Sequence, residues 1–146
     1  MRIPSKGRIA VCAMMDLTFS ENDKPLTIAG LAEKQDVSVS YLEQLFADLR
    51  SADLVVGMRG PGGGYQLSRA ASQISIAQII DAIDDKALKT EKINQEYKPD
   101  LIWSDFAGMA YDFLDNLTLS KFKPEDLEPE ADQVVKQDRH AELVSF

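Results

Sequence analysis

The sequence has very little with which to hold a metal or a disulfide: one cysteine, Cys12, and one histidine, His140, in 146 residues. A single cysteine excludes an internal disulfide framework. The two residues are too few soft donors for a zinc site or an iron–sulfur cluster within one chain. They are equally poor for nucleophilic catalysis, since a cysteine nucleophile needs a base beside it and His140 stands in a polar tail. No apolar run approaches the roughly 18 residues of a membrane-spanning helix. The opening Met1-Arg2-Ile3-Pro4-Ser5-Lys6 lacks the apolar stretch and cleavage site of a secretory leader. A cytoplasmic chain with no membrane partner is therefore expected. Paired catalytic groups are missing, and the glycines at 60–64 lack the lysine and following helix of a phosphate loop. Neither an enzyme nor a cofactor is expected.

Positive charge is scarce in the total, with a net charge of −8, but the deficit is unevenly spread. Residues 1–70 carry Arg2, Lys6, Arg8, Lys24, Lys34, Arg50, Arg59 and Arg69 against eight carboxylates, so they are neutral. Residues 71–146 hold eight basic and sixteen acidic groups, and 8 − 16 accounts for the whole −8. Such asymmetry points to different partners for the two halves. Nucleic-acid binding depends on local potential, so the first half remains a candidate for it.

What is present is a sequence of helix signals, then a glycine-rich hairpin. Ser5 can cap a helix over about 6–19, in which Ile9, Cys12, Ala13 and Leu17 recur at helical spacing. Ser20 to Pro25 is a polar break. Thr27 caps a short helix to about Gln35, Asp36-Val37 makes a tight connection, and Ser38 starts a third helix to about Ala52. There Leu42, Leu45, Phe46 and Leu49 form an apolar stripe. Two helices joined by a short turn are the bare requirement of a helix-turn-helix. Leu54 to Arg59 reads as a strand and Tyr65 to Leu67 as its return, around Gly60-Pro61-Gly62-Gly63-Gly64. Placed directly after a helix-turn-helix, this hairpin is a wing. Ser75 can cap a further helix, Ile76 to about Asp84. Residues 85–98 read as a polar loop. Pro99 suits the first turn of a long helix over about 99–117. Its stripe of Ile102, Phe106, Met109, Phe113 and Leu117, with Trp103, Ala110 and Leu114 alongside, is too wide for one small domain and implies a partner helix.

The expected fold is mainly α with a small β-hairpin wing: a winged helix-turn-helix domain plus a long dimerisation helix. The expected divisions are 1–84 for the DNA-binding domain, 85–98 for a loop, 99–122 for the dimerisation region and 123–146 for an acidic, mobile tail.

The run Ser38-Val39-Ser40-Tyr41-Leu42-Glu43-Gln44-Leu45-Phe46, followed by Arg59-Gly60-Pro61-Gly62-Gly63-Gly64-Tyr65, resembles the iron–sulfur cluster regulator (IscR) family of bacterial winged-helix repressors. That family also holds the nitric-oxide sensor NsrR and the cysteine-metabolism regulator CymR. Ser5-Lys6-Gly7-Arg8 and Phe113-Leu114-Asp115-Asn116-Leu117-Thr118-Leu119 match the same pattern. The resemblance implies a dimer with crossed long helices on an imperfect palindrome. It also implies a three-cysteine cluster site in the loop before the long helix, and here the sequence departs from it. Residues 85–100 contain no cysteine and no histidine, and only Asp100 falls near the place of the family's non-cysteine ligand. A member without a cluster is expected.

On this reading double-stranded DNA meets the first turn of the third helix. Ser38 and Ser40 suit phosphates or base edges, with helix capping as the other role of Ser38. Tyr41 can contact a phosphate, and Gln44 can pair with adenine. Glu43 accepts from cytosine N4, or is simply a solvated helix residue. Arg59, with Gly60 and Pro61 beyond it, is placed to enter a narrow minor groove. Arg50 is a phosphate contact or a helix cap, and Lys6 and Arg8 are weaker phosphate candidates. Cys12 is expected as a small buried hydrophobe rather than a redox thiol. Tyr97, Trp103 and Phe106 are candidates for an effector pocket in place of the lost cluster, with interface core as the commoner use of such a stripe. Two sensing alternatives remain beside the plain homodimer: a regulatory protein partner docked on the acidic half, and a small molecule bound at the loop and the Trp103 face.

Overall fold

The computed structural model describes residues 5–84 and 98–122. The expectations for the loop at 85–97, including Tyr97, and for the tail from 123 lie outside these residues. Helices α1 (Ser5–Thr18), α2 (Ile28–Gln35) and α3 (Val39–Ser51) come first. Strands β1 (Val55–Met58) and β2 (Gly64–Leu67) follow, and then α4 (Ile76–Ile83) and α5 (Lys98–Asn116). Short 3-10 turns sit at Glu21–Asp23, Ala71–Gln73 and Leu119–Phe122. This is the mainly α fold with a hairpin wing expected from the sequence.

Local chemistry accounts for the helix ends. Thr27 Oγ1 accepts from Gly30 N at 3.1 Å, and Ser38 Oγ accepts from Tyr41 N at 3.1 Å. Each satisfies one of the amides that a helix start leaves without a partner. Ser75 does more: its Oγ accepts from Gln78 N at 3.1 Å while Gln78 Oε1 accepts from Ser75 N at 3.0 Å, a complete capping box. Both α2 and α3 are stopped by an aspartate in the left-handed region, Asp36 at φ 54° and Asp53 at φ 58°. Behind each, an amide reaches back five residues, Val37 N to Ala32 O and Leu54 N to Leu49 O, both at 3.0 Å. These Schellman closures set the sharp exits that turn α2 into α3 and α3 into the wing.

The core lies among α1, α3 and α4. It is built from Met14, Leu17, Leu42, Leu45, Phe46, Leu49, Ile76, Ile79, Ile80 and their neighbours. Full burial of each large apolar side chain stabilises by roughly 1.5–3 kcal/mol.

Two features depart from the reading of the sequence. Cys12 is exposed, not buried. The inward side of α1 is Gly7, Ala10, Ala13, Met14 and Leu17, and at 100° per residue Cys12 falls on the opposite side. Apolar neighbours along the chain misled where helical phase decides. The second feature is the return of the chain after α5. Ile76 N donates to Leu117 O at 2.9 Å and Leu119 N to Ile74 O at 3.0 Å, around a bridge between Ser75 and Thr118. Leu119 is fully buried, so the segment after the long helix is part of the core of the winged-helix body.

Candidate nucleic-acid interface

Helix α3 buries Leu42, Leu45, Phe46 and Leu49, which leaves Ser38, Val39, Ser40, Glu43, Gln44 and Arg50 on exposed positions. Tyr41 is half-buried and packs in part on the core. The side chains of Ser40, Glu43, Gln44 and Arg50 have no hydrogen-bonding or ionic partner among the described residues, and Ser38 is engaged only as the cap. The amides of Val39 and Ser40, in the first turn, have no intrahelical acceptor, which makes the helix start a natural seat for a phosphate.

The wing is fastened to this helix by contacts that the sequence pattern did not reveal. The Tyr65 ring meets Phe46 with centroids 4.8 Å apart, inclined at 56°. Tyr65 also exchanges both backbone hydrogen bonds with Leu26, at 2.8 and 3.0 Å, so the segment just before α2 adds a one-residue bridge to the edge of the hairpin. Gly64 permits this approach: it lies at φ 152°, and a Cβ there would strike the Leu26 carbonyl. Gln66 Nε2 adds a bond to Asp23 O at 2.5 Å. Strand β1 pairs with β2 in antiparallel register, Val55 opposite Leu67 and Met58 opposite Gly64. At the tip Gly60 takes φ 96° and its carbonyl accepts from Gly63 N at 2.9 Å. Arg59, Gly60 and Pro61 are all exposed, and Arg59 makes no ion pair among the described residues. Helix α3 and the wing are thus held in a fixed relation by the packing of Tyr65 on the buried Phe46, with their polar and cationic groups left outward.

Not every cation of the first half is available. Lys34 pairs with Asp16 at 2.5 Å. Arg69 is a clamp inside the fold: Nη1 donates to Asp53 O at 2.8 Å, Nε to Gln73 O at 3.1 Å and Nη2 to Gln78 Oε1 at 3.4 Å. Among the described residues, Lys6, Arg8, Lys24, Arg50 and Arg59 have no ionic partner.

The proposed effector residues fall elsewhere. Trp103 and Phe106 stand exposed on α5, at 67% and 60%, with rings edge-on and centroids 6.1 Å apart. Two cavities of about 410 and 590 Å³ lie against the end of α1 and the turn after it, and neither includes Trp103 or Phe106.

The model of the Rrf2 family, described as an iron-dependent transcriptional regulator, matches residues 3–122. The chain belongs to the Rrf2 family. It is 40% identical over 128 residues to the transcriptional regulator IscR of Erwinia tasmaniensis, covering 83% of this chain and 78% of that protein. Among solved structures it is similar to CymR, the global cysteine regulator of B. subtilis. That match has a TM-score of 0.75 at 30% identity and covers 87% of this chain and 95% of that one. IscR of T. potens superposes with a TM-score of 0.72 at 30% identity, over 92% and 90% of the two chains. The resemblance read from the motifs is borne out, and this Rrf2 member is a DNA-binding transcriptional regulator, not an enzyme. No helix among the described residues is long and apolar enough to cross a membrane.

The iron–sulfur cluster that the IscR resemblance implies does not fit the donors of this chain. A cluster takes about four ligands, mainly thiolates. The sequence supplies one thiol, Cys12, and it lies on α1 rather than in the segment before α5. Asp100 falls in the first turn of α5, where a carboxylate cannot make up that deficit.

Proposed function

We propose that this Rrf2 member acts in the cytoplasm as a homodimeric, cluster-independent regulator that binds an imperfect DNA palindrome. The observation that carries the reading is the pairing of two outward surfaces in one chain. One is the unpartnered polar face of α3 beside Arg59. The other is the apolar outer face of α5, where Ile102, Trp103, Phe106, Met109 and Phe113 are each at least 60% exposed. An apolar stripe of that size on a helix needs a cover, and a second copy of the same helix supplies one by symmetry.

The dimer then presents two α3 helices to successive major-groove faces, about 34–36 Å apart or a multiple of that. Ser38 and Tyr41 position the helix on phosphates. Ser40, Glu43 and Gln44 face the bases, with Gln44 suited to adenine. Glu43 accepts from cytosine N4 and repels guanine acceptors. Arg59, carried by Gly60 and Pro61, enters the minor groove. Arg50, Lys6 and Arg8 meet phosphates, each steepening the salt dependence by roughly 0.9 in log–log slope.

Anaerobic purification, an iron assay, sedimentation and DNA selection on one preparation test this reading. The expected result is an iron-free dimer that selects a palindrome. A monomer, an iron-bearing protein or a non-palindromic site would each overturn the corresponding part. Arg59→Ala should weaken operator binding by about 1–3 kcal/mol, and unchanged affinity would remove Arg59 from the interface.

A further inference from the structure

Val39 opens helix α3 and, unlike the apolar stripe that follows it, is not part of the buried core. It is 43% exposed, although the apolar residues three, six, seven and ten positions on are buried. Its neighbours Val37 and Tyr41 are half-buried against the core, whereas Val39 stands exposed. A β-branched side chain at a helix start also brings no propensity advantage over alanine or serine. On a helix such a side chain is held to essentially one rotamer, so the isopropyl group projects as a rigid apolar knob. It lies between Ser38, which is occupied as the cap, and Ser40, whose hydroxyl is free.

The first turn of a recognition helix is the part that reaches base edges. Among the groups exposed on the major-groove floor, a single one is apolar, the C5-methyl of thymine; the others are hydrogen-bond donors and acceptors. We propose that Val39 is a specificity-determining residue that packs on a thymine C5-methyl group in each half-site. The inference rests on the DNA-reading function of α3 proposed above. It divides the work of the first turn. Ser40 and Gln44 choose by hydrogen bonding, and Val39 chooses by excluding water from a methyl group.

The test starts from the operator found by selection and replaces its thymines one at a time by deoxyuridine, which removes the methyl and leaves the pairing unchanged. One methyl withdrawn from water corresponds to about a fourfold change in affinity, so a substitution in one half-site should weaken binding about fourfold and in both about fifteenfold. The Val39→Ser protein, with its helix content checked by circular dichroism, should bind thymine and deoxyuridine operators alike at that position. Loss at no thymine, or an undiminished loss with Val39→Ser, would overturn the assignment while leaving DNA binding by α3 intact. A selected half-site without any thymine would overturn it as well. Failure to select any operator would instead remove the proposed function on which it stands.

Discussion

Helices α4 and α5 are both amphipathic, yet they dispose of their apolar residues differently. In α4 Ile76, Ala77, Ile79, Ile80 and Ile83 are all buried within the chain. Helix α5 has two apolar faces. Tyr111 and Leu114, continued by Leu117 just beyond it, pack against the core, while Ile102, Phe106, Met109 and Phe113, with Trp103 beside them, are exposed. A helix with one apolar face can be satisfied by its own domain. A helix with two leaves a second face that no other described residue covers, and the proposed dimer would bury it. The contrast separates residues that determine whether the body folds from residues that determine what the folded body joins.

Mutations on the two sides should therefore fail in different assays. The largest effect is expected inside the body: Phe46→Ala, which empties a fully buried site and also removes the support of Tyr65, should cost about 3–5 kcal/mol in denaturant unfolding. Phe113→Ala should weaken self-association by about 2 kcal/mol or more in sedimentation, with the far-ultraviolet spectrum of the body unchanged. If Phe113→Ala instead unfolds the chain as Phe46→Ala does, the distinction between the faces is wrong.

Smaller effects should appear where the two helices meet. Ser75 Oγ, already the cap of α4, donates to Asp115 Oδ1 on α5 at 3.1 Å. Ser75→Ala should cost about 0.5–2 kcal/mol in unfolding, and pairing it with Asp115→Ala in a double-mutant cycle separates cap from inter-helix bond. Tyr111 Oη donates to Asp81 Oδ2 at 3.2 Å. The negative charge of Asp81 raises the Tyr111 pKa above its ordinary value, followed by burial, the hydrogen bond itself, and Asp115 and Asp112. A raised folded-state pKa contributes stability that is complete below the ordinary tyrosine value, about pH 10, and is lost as pH rises through the folded value. Tyr111→Phe should cost about 0.5–1.5 kcal/mol at neutral pH and flatten that alkaline decline. An unchanged alkaline profile would show that the bond does not join the helices in solution.

The parts of this arrangement visible in the sequence are those governed by short-range rules. Thr27, Ser38 and Ser75 could be read as caps because each bonds an amide three residues on. The glycines at 60–64 marked the hairpin because few other residues tolerate its backbone. The two faces of α5 were less distinct, since periodicity counts apolar residues without saying which the body will claim. The meeting of Tyr65 with Phe46, the clamp made by Arg69 and the return of Leu119 to Ile74 all join segments far apart in the chain, and no local pattern marks them. Cys12 shows the converse error, a residue judged by its company instead of its angle. The exposure of Val39 is set by where it stands in the first turn of α3, ahead of the buried stripe, and composition alone does not mark it.

The buried Leu119 has a consequence for how the protein is made. A chain leaves the ribosome from its N-terminus, so α3 and the wing emerge well before Leu119, which completes the core. The strap of 117–119 against 74–76 can close only when all of α5 has been synthesised. Until then the site vacated by Leu119 is open to solvent and α4 lacks its last partner. The start of α4 therefore gains its last partner only once α5 and the strap behind it have been made.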